Sequence, residues 1–190
     1  MKFKNTSDLV NKINTALGAF CKEFGSKRKE LANVNRAPQE SALFKHYNES
    51  NDWAINQGGA TEIQYFISFD SDALEIRYGL GFNTQFVPHK NEMSAVEYMQ
   101  PFMDAFLKHE TQIKKLLPEY NFVYGNEEQL KNPQHNQYTL FGKIVQTEKQ
   151  ADTYFIKDSV FNSLIEDLKT QFEAYQIIFK ERNNLKETVI

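Results

Sequence analysis

One cysteine stands in these 190 residues, so no intramolecular disulfide can form and a scaffold stapled by cross-links is excluded. That residue, Cys21, falls between Phe20 and Phe24 on a helical spacing, which predicts a thiol used as core filling in a reducing cytoplasm. No run approaches the ~20 apolar residues of a membrane span. The opening Met-Lys-Phe-Lys-Asn-Thr lacks the apolar stretch of a secretion signal. The expectation is a cytoplasmic protein without a membrane partner.

The signatures of common catalytic sites are missing too. There is no Gly-x-Ser-x-Gly, no phosphate-cradling Gly-x-x-x-x-Gly-Lys-Ser/Thr and no Gly-x-Gly-x-x-Gly after a strand. His46, His89, His109 and His135 are widely separated, and none has a partner at zinc-ligand spacing. Neither a catalytic residue nor a metal or other cofactor is expected.

What is present is core material: 41% of residues are hydrophobic, with 16 Phe and 9 Tyr, and 25% are charged. These values suit one soluble globular domain. The net charge of −3 and pI near 5.9 argue against a protein that coats nucleic acid through bulk charge. The charge is uneven, however. Met1 to Glu30 holds seven Lys/Arg against three acids, a net +4, while the remainder carries −7. Such asymmetry points to a polyanion partner or to an ordinary solvated helix face.

Leu9, Ile13, Leu17, Phe20 and Phe24 recur at helical steps after the capping candidates Thr6, Ser7 and Asp8, with Gly25 following. They predict one amphipathic helix. Ser26 to Gly59 lacks periodicity, so irregular structure or a short helix near Gln39 to His46 is expected. Glu62–Asp70 and Leu74–Phe82 alternate as two strands of a hairpin. Ser94 to Glu97 has the form of a capping box, and apolar residues follow it at helical steps to Leu117, interrupted by Pro101, which must kink or restart the helix. Strand candidates lie at Phe122–Tyr124, Tyr138–Val145 and Thr153–Ile156, with a polar loop from Gly125 to Gln137. A long helix starts at Asp158 or Ser159. The prediction is an α+β domain over residues 1–182, with a mostly antiparallel sheet of about four or five strands flanked by N-terminal, middle and C-terminal helices. Residues 183–190 read as a polar tail, a linker to a downstream effector domain.

The most informative stretch runs from Asp52 to Asn83. It holds the only tryptophan, Trp53, then Asn56, Gln57 and the pair Gly58-Gly59. Such a pair either presents amide N–H groups to a phosphate or simply turns the chain into the strand. Trp53 could stack on a base or cap the core. On the face of the hairpin opposite the apolar residues, Gln64 and Arg77 have the donor and acceptor geometry that reads base edges or grips phosphate. A Glu62 to Arg77 ion pair across the hairpin is the structural alternative. Gly79 and Gly81 would leave the surface beside them flat. Lys27 and Arg28 in the basic end are further phosphate candidates. Glu62, Asp70 and Glu75 are the carboxylates from which a metal-dependent nuclease would have to be built.

Trp-Ala-Ile-Asn-Gln-Gly-Gly-Ala-Thr-Glu-Ile-Gln-Tyr-Phe-Ile (53–67) followed by Leu-Glu-Ile-Arg-Tyr-Gly-Leu-Gly-Phe (74–82) resembles a segment of the N-terminal specificity domains of bacterial modification-dependent restriction systems. The order of elements is similar to that of the DNA-reading N-terminal domain of McrB-type restriction proteins. The resemblance implies a defence protein's recognition module that binds double-stranded DNA and extrudes a modified cytosine such as methylcytosine, with nuclease and translocase functions elsewhere. Under it, Trp53, Tyr47 and either Tyr65 or Tyr78 are the stacking candidates, and Asn56, Gln57 and Gln64 the edge readers. By the alternation of the hairpin, Tyr65 and Tyr78 share the apolar face. The alternative function is a protein-interaction or regulatory domain, and the third is the nuclease.

Overall fold

The computed structural model describes residues 1–32, 42–46, 53–56, 62–85 and 94–187. In chain order they form β1 (Lys2–Phe3), α1 (Thr6–Leu17), α2 (Phe20–Ala32), β2 (Lys45–His46), β3 (Trp53–Asn56), β4 (Gln64–Asp70), β5 (Glu75–Asn83), α3 (Ala95–Lys108), α4 (Glu110–Leu116), β6 (Asn121–Tyr124), α5 (Glu127–Lys131), β7 (Tyr138–Gln146), β8 (Glu148–Gln150), β9 (Thr153–Phe155) and α6 (Asp158–Glu187). The class is α+β. The main sheet has the order β2-β3-β4-β5-β7-β6, and a small one the order β1-β9-β8.

The β2–β3, β6–β7, β1–β9 and β8–β9 pairs are antiparallel. Thr147 N–H donates to Leu74 and Thr84 N–H to Gln137, so β5 and β7 also run in opposite directions. Four residues join β4 to β5, a connection that allows only antiparallel pairing. Four strands of the main sheet, β4 to β7, lie where the sequence predicts strands. Two further ones, β2 and β3, fall in the stretch without periodicity, and Gln39–Ser41 of the helix expected there lies outside the described residues.

The first helix ends earlier than its apolar spacing suggests. Asn5, not Thr6 to Asp8, provides the N-cap by accepting from the Asp8 amide at 2.9 Å. Gly18 stops α1 with φ 49, a left-handed conformation that glycine alone adopts without cost. Gly25 therefore lies inside α2. The capping box of α3 forms: Ser94 Oγ accepts from the Glu97 amide and Glu97 from the Ser94 amide. Helix α3 runs through Pro101 without ending, and the break comes at His109. The loop after Gly125 contains the short helix α5, capped by Asn126. Helix α6 continues to Glu187, five residues past Arg182, so helix occupies most of the expected tail.

The described chain divides into two compact units, each assembled from three segments. The first comprises Met1–Asn56, Phe66–Tyr78 and Ile144–Phe172, the second Gln57–Tyr65, Gly79–Lys143 and Glu173–Ile190. Strands β4, β5 and β7 and helix α6 contribute residues to both. In the first unit, Phe3, Phe69 and Tyr154 meet with ring centroids 4.8 to 5.4 Å apart, and Leu9, Ile13 and Leu17 bury the inner face of α1. In the second, Phe106 meets Phe82 at 5.4 Å and Phe141 at 5.1 Å, while Phe179 meets Phe102 at 5.0 Å and Tyr175 at 4.7 Å. These pairs are edge-on except for the stacked Phe3–Tyr154 and the tilted Tyr175–Phe179, and aromatic packing of this kind adds about 0.5–1.5 kcal/mol per pair to the area buried.

Candidate nucleic-acid interface

Helix α2 carries four of the seven basic residues of the first thirty, Lys22, Lys27, Arg28 and Lys29. Its inner face is aromatic: Phe20 and Phe24 approach Phe172 at 5.6 and 5.0 Å, and Cys21 is buried, with desolvation pushing its thiol up. The opposite face runs Lys22, Gly25, Ser26, Lys29, at steps of three, one and three residues, and the two lysines and the serine are exposed. The lysines lie two turns apart, roughly 10 Å along the axis, with only small residues between them. Neither has an ion-pair partner among the described residues. The result is a low cationic ridge standing on an aromatic base.

The two basic residues singled out from the sequence are placed differently. Lys27 forms an ion pair with Glu30 at 3.2 Å, and Arg28 is half-buried. On α2, the basic residues without an ion-pair partner among the described residues are Lys22 and Lys29. Their seven-residue spacing is the same periodicity that gives α1 and α2 their apolar faces.

Trp53 and Asn56 lie in β3, beside β2, where Lys45 faces Ile55 and His46 faces Ala54. Helix α1 packs against both strands. Tyr47 and Gln57 lie outside the described residues. The segment 42–46 is tied to α1 through one side chain. Asn14 Oδ1 accepts from the amides of Leu43 at 2.9 Å and Phe44 at 3.0 Å, and its Nδ2 donates to the Phe44 carbonyl at 2.8 Å.

Three hairpin residues depart from their expected roles. Gln64 is buried rather than on an open polar face. Strand β4 is covered on both sides, with only Ser68 and Asp70 partly open. That also explains Phe66, which breaks the alternation, since a central strand with both faces covered need not alternate. A Cβ at Gly81 would stand 2.5 Å from the Tyr138 hydroxyl and 3.1 Å from Gln64 Oε1. At Gly79 it would lie 2.3 Å from the Phe141 carbonyl oxygen. These glycines therefore admit a neighbouring strand and a buried tyrosine; they do not flatten a ligand surface.

Arg77 is held by carboxylates. Its guanidinium lies 2.7 Å from Glu75 and 3.1 Å from Asp70, and Gln146 donates to the second Glu75 oxygen at 3.0 Å. The Arg77 hydrogen bond, followed by that from Gln146, keeps the Glu75 carboxyl below its usual range. For Asp70 the Ala73 amide is the largest cause of the same shift, with Arg77 adding to it. One cation between two carboxylates leaves a local net charge of −1, which disfavours a phosphate.

Tyr78 is buried, and its hydroxyl donates to Asp167 at 2.6 Å. Tyr65 is also buried, as the shared apolar face predicts, and packs edge-on to Tyr175 at 6.0 Å with its phenol pushed far up by desolvation.

The carboxylates considered for a nuclease have other partners. Glu62 is buried and accepts from the Tyr175 hydroxyl at 3.2 Å, whereas Asp70 and Glu75 hold Arg77. Among the described residues no three His, Cys, Asp or Glu side chains are grouped to hold a metal ion. No described helix is long and apolar enough to cross a membrane.

No family model, curated protein or solved structure matches this chain.

Proposed function

We propose that this chain is a DNA-recognition module of a restriction or defence protein, with double-stranded DNA as its partner and catalysis on a separate domain or subunit. The observation that carries the reading is the exposed Lys22–Lys29 ridge of α2. Two lysines without ion-pair partners among the described residues, held at fixed spacing by a helix anchored through Phe20, Phe24 and Phe172, suit phosphates along a backbone. Phosphate contacts supply most of the affinity of such modules and set their register. Strand β3, with Trp53 and Asn56, belongs to the same compact unit and is the proposed base-reading element. Gln64, Arg77 and Tyr78 drop out of that role, because each is committed to the protein's own interior or ion pairs.

The base proposed is a modified cytosine, in line with the sequence resemblance. Extruding it costs a few kcal/mol, which stacking on an aromatic ring and contacts to the base edge must offset. The test is a binding titration of the chain with unmodified and cytosine-modified duplexes at low and moderate salt. Tighter binding of the modified duplex is the expected result. In K22Q/K29Q the slope of log affinity against log salt should fall in magnitude by about 1.8, the release of two counterions. Absence of binding to either duplex at low salt overturns the proposal.

A further inference from the structure

Ile144 is the one large hydrophobic side chain exposed among the described residues, at 43%. It lies on β7 beyond the reach of β6, whose register ends with Asn121 opposite Gly142. On the other side of β7, Thr147 N–H is taken by Leu74 at 2.7 Å. Alternation along an antiparallel strand then directs the backbone groups of Ile144 and Gln146 away from β5, toward the side that β6 leaves uncovered. Beside this short open edge is a groove of about 440 Å³ lined by Val145, Phe155, Ile156 and Val160, with Glu148 and Lys157 also in its walls. An open edge next to exposed apolar surface is a site for pairing with another strand.

The charges select the occupant. Glu148 and Lys157 are both exposed, and neither has an ion-pair partner among the described residues. One unpaired acid and one unpaired base make the patch neutral and self-complementary. A two-fold axis through it would set each copy's Glu148 against the other's Lys157, as an isologous contact requires. We propose that a second copy of this chain docks here, β7 edge to β7 edge and antiparallel, with Ile144 of each copy in the other's groove. The paired edge is short, so the dimer is weak and concentration-dependent.

Sedimentation velocity of the whole chain over a wide concentration range tests this. Self-association is expected, and I144D should abolish it while leaving the thermal unfolding curve unchanged at concentrations low enough for both proteins to be monomeric, because the side chain is on the surface of the monomer. E148K and K157E should each weaken the dimer at least about tenfold by placing like charges together. An equimolar mixture of those two variants should recover it, since both cross-contacts are then attractive. A monomer at every concentration, a dimer indifferent to I144D, or failure of the mixture to recover overturns the proposal.

Discussion

The Tyr78 hydroxyl donates a 2.6 Å hydrogen bond to Asp167 Oδ2, a residue 89 positions away in α6. A short bond to an ionised acceptor is stronger than one between neutral groups. It joins β5 to α6 inside the first unit, and it gives Tyr78 a structural role where a base-stacking one was also conceivable. In Y78F the ring stays and the bond is lost. The expected cost is about 1–3 kcal/mol, read by urea denaturation, with DNA affinity unchanged under conditions where the variant is folded. A variant that kept its stability and lost DNA affinity would return Tyr78 to the binding surface.

Asn14 organises the segment after α2 much as a strand edge would, through two accepted bonds and one donated bond. N14A should lower stability by about 2–3 kcal/mol, near 1 kcal/mol per bond. The effect should be local first. Hydrogen exchange at the Leu43 and Phe44 amides should accelerate before that of the α1 interior.

The Asp70, Glu75 and Arg77 cluster predicts an acid-sensitive hairpin. Both carboxyls are held below their ordinary values in the folded chain. Their contribution to stability is therefore complete above the unfolded values, near 4, and is lost as pH falls through the lower folded ones. R77Q removes the main cause for Glu75 but not for Asp70, whose carboxylate keeps the Ala73 amide. NMR titration of R77Q should show Glu75 rising toward its usual value and Asp70 moving less.

Gly79 is the position where a single methyl group should be least tolerated. The added Cβ would meet the Phe141 carbonyl oxygen at 2.3 Å and the Gly142 Cα at 2.5 Å, and a backbone cannot swing aside as a side-chain tip can. G79A should cost more than about 3 kcal/mol, visible as a shifted denaturation midpoint or loss of soluble protein. Near-native stability in G79A would mean that β5 and β7 can separate locally.

Much of this architecture was legible because the signals were long. The alternating pair that became β4 and β5 and the apolar face of α6, with Leu164, Leu168, Phe172, Tyr175 and Phe179 buried, each span enough residues for a period to register, and the capping box at Ser94 is a four-residue pattern specific in itself. Strands β2 and β8, of two and three residues, have no room for one. They are specified by pairing with β3 and β9, which follow them closely in the chain, and not by a period of their own. Gly18 gives no stop signal in the sequence, because apolar spacing continues across it from Leu17 to Phe20 and only the backbone angle distinguishes a stop from a pause. The burial of Gln64 is hidden in the sequence for a different reason. Alternation tells which face is more apolar, but it does not tell whether the other face is also covered, and β4 lies between β3 and β5 in a sheet with both faces protected there. The Lys22–Lys29 ridge required subtracting Lys27, whose carboxylate partner Glu30 sits three residues on.

Strand β3 has a practical consequence. It contains the chain's single tryptophan, so indole fluorescence excited at the red edge of its absorption, where the nine tyrosines are silent, originates from that strand alone. The unlabelled protein thus carries its own optical reporter at the proposed base-reading element. A DNA titration and a denaturant series read from the same chromophore would separate contact with the ligand from loss of the fold.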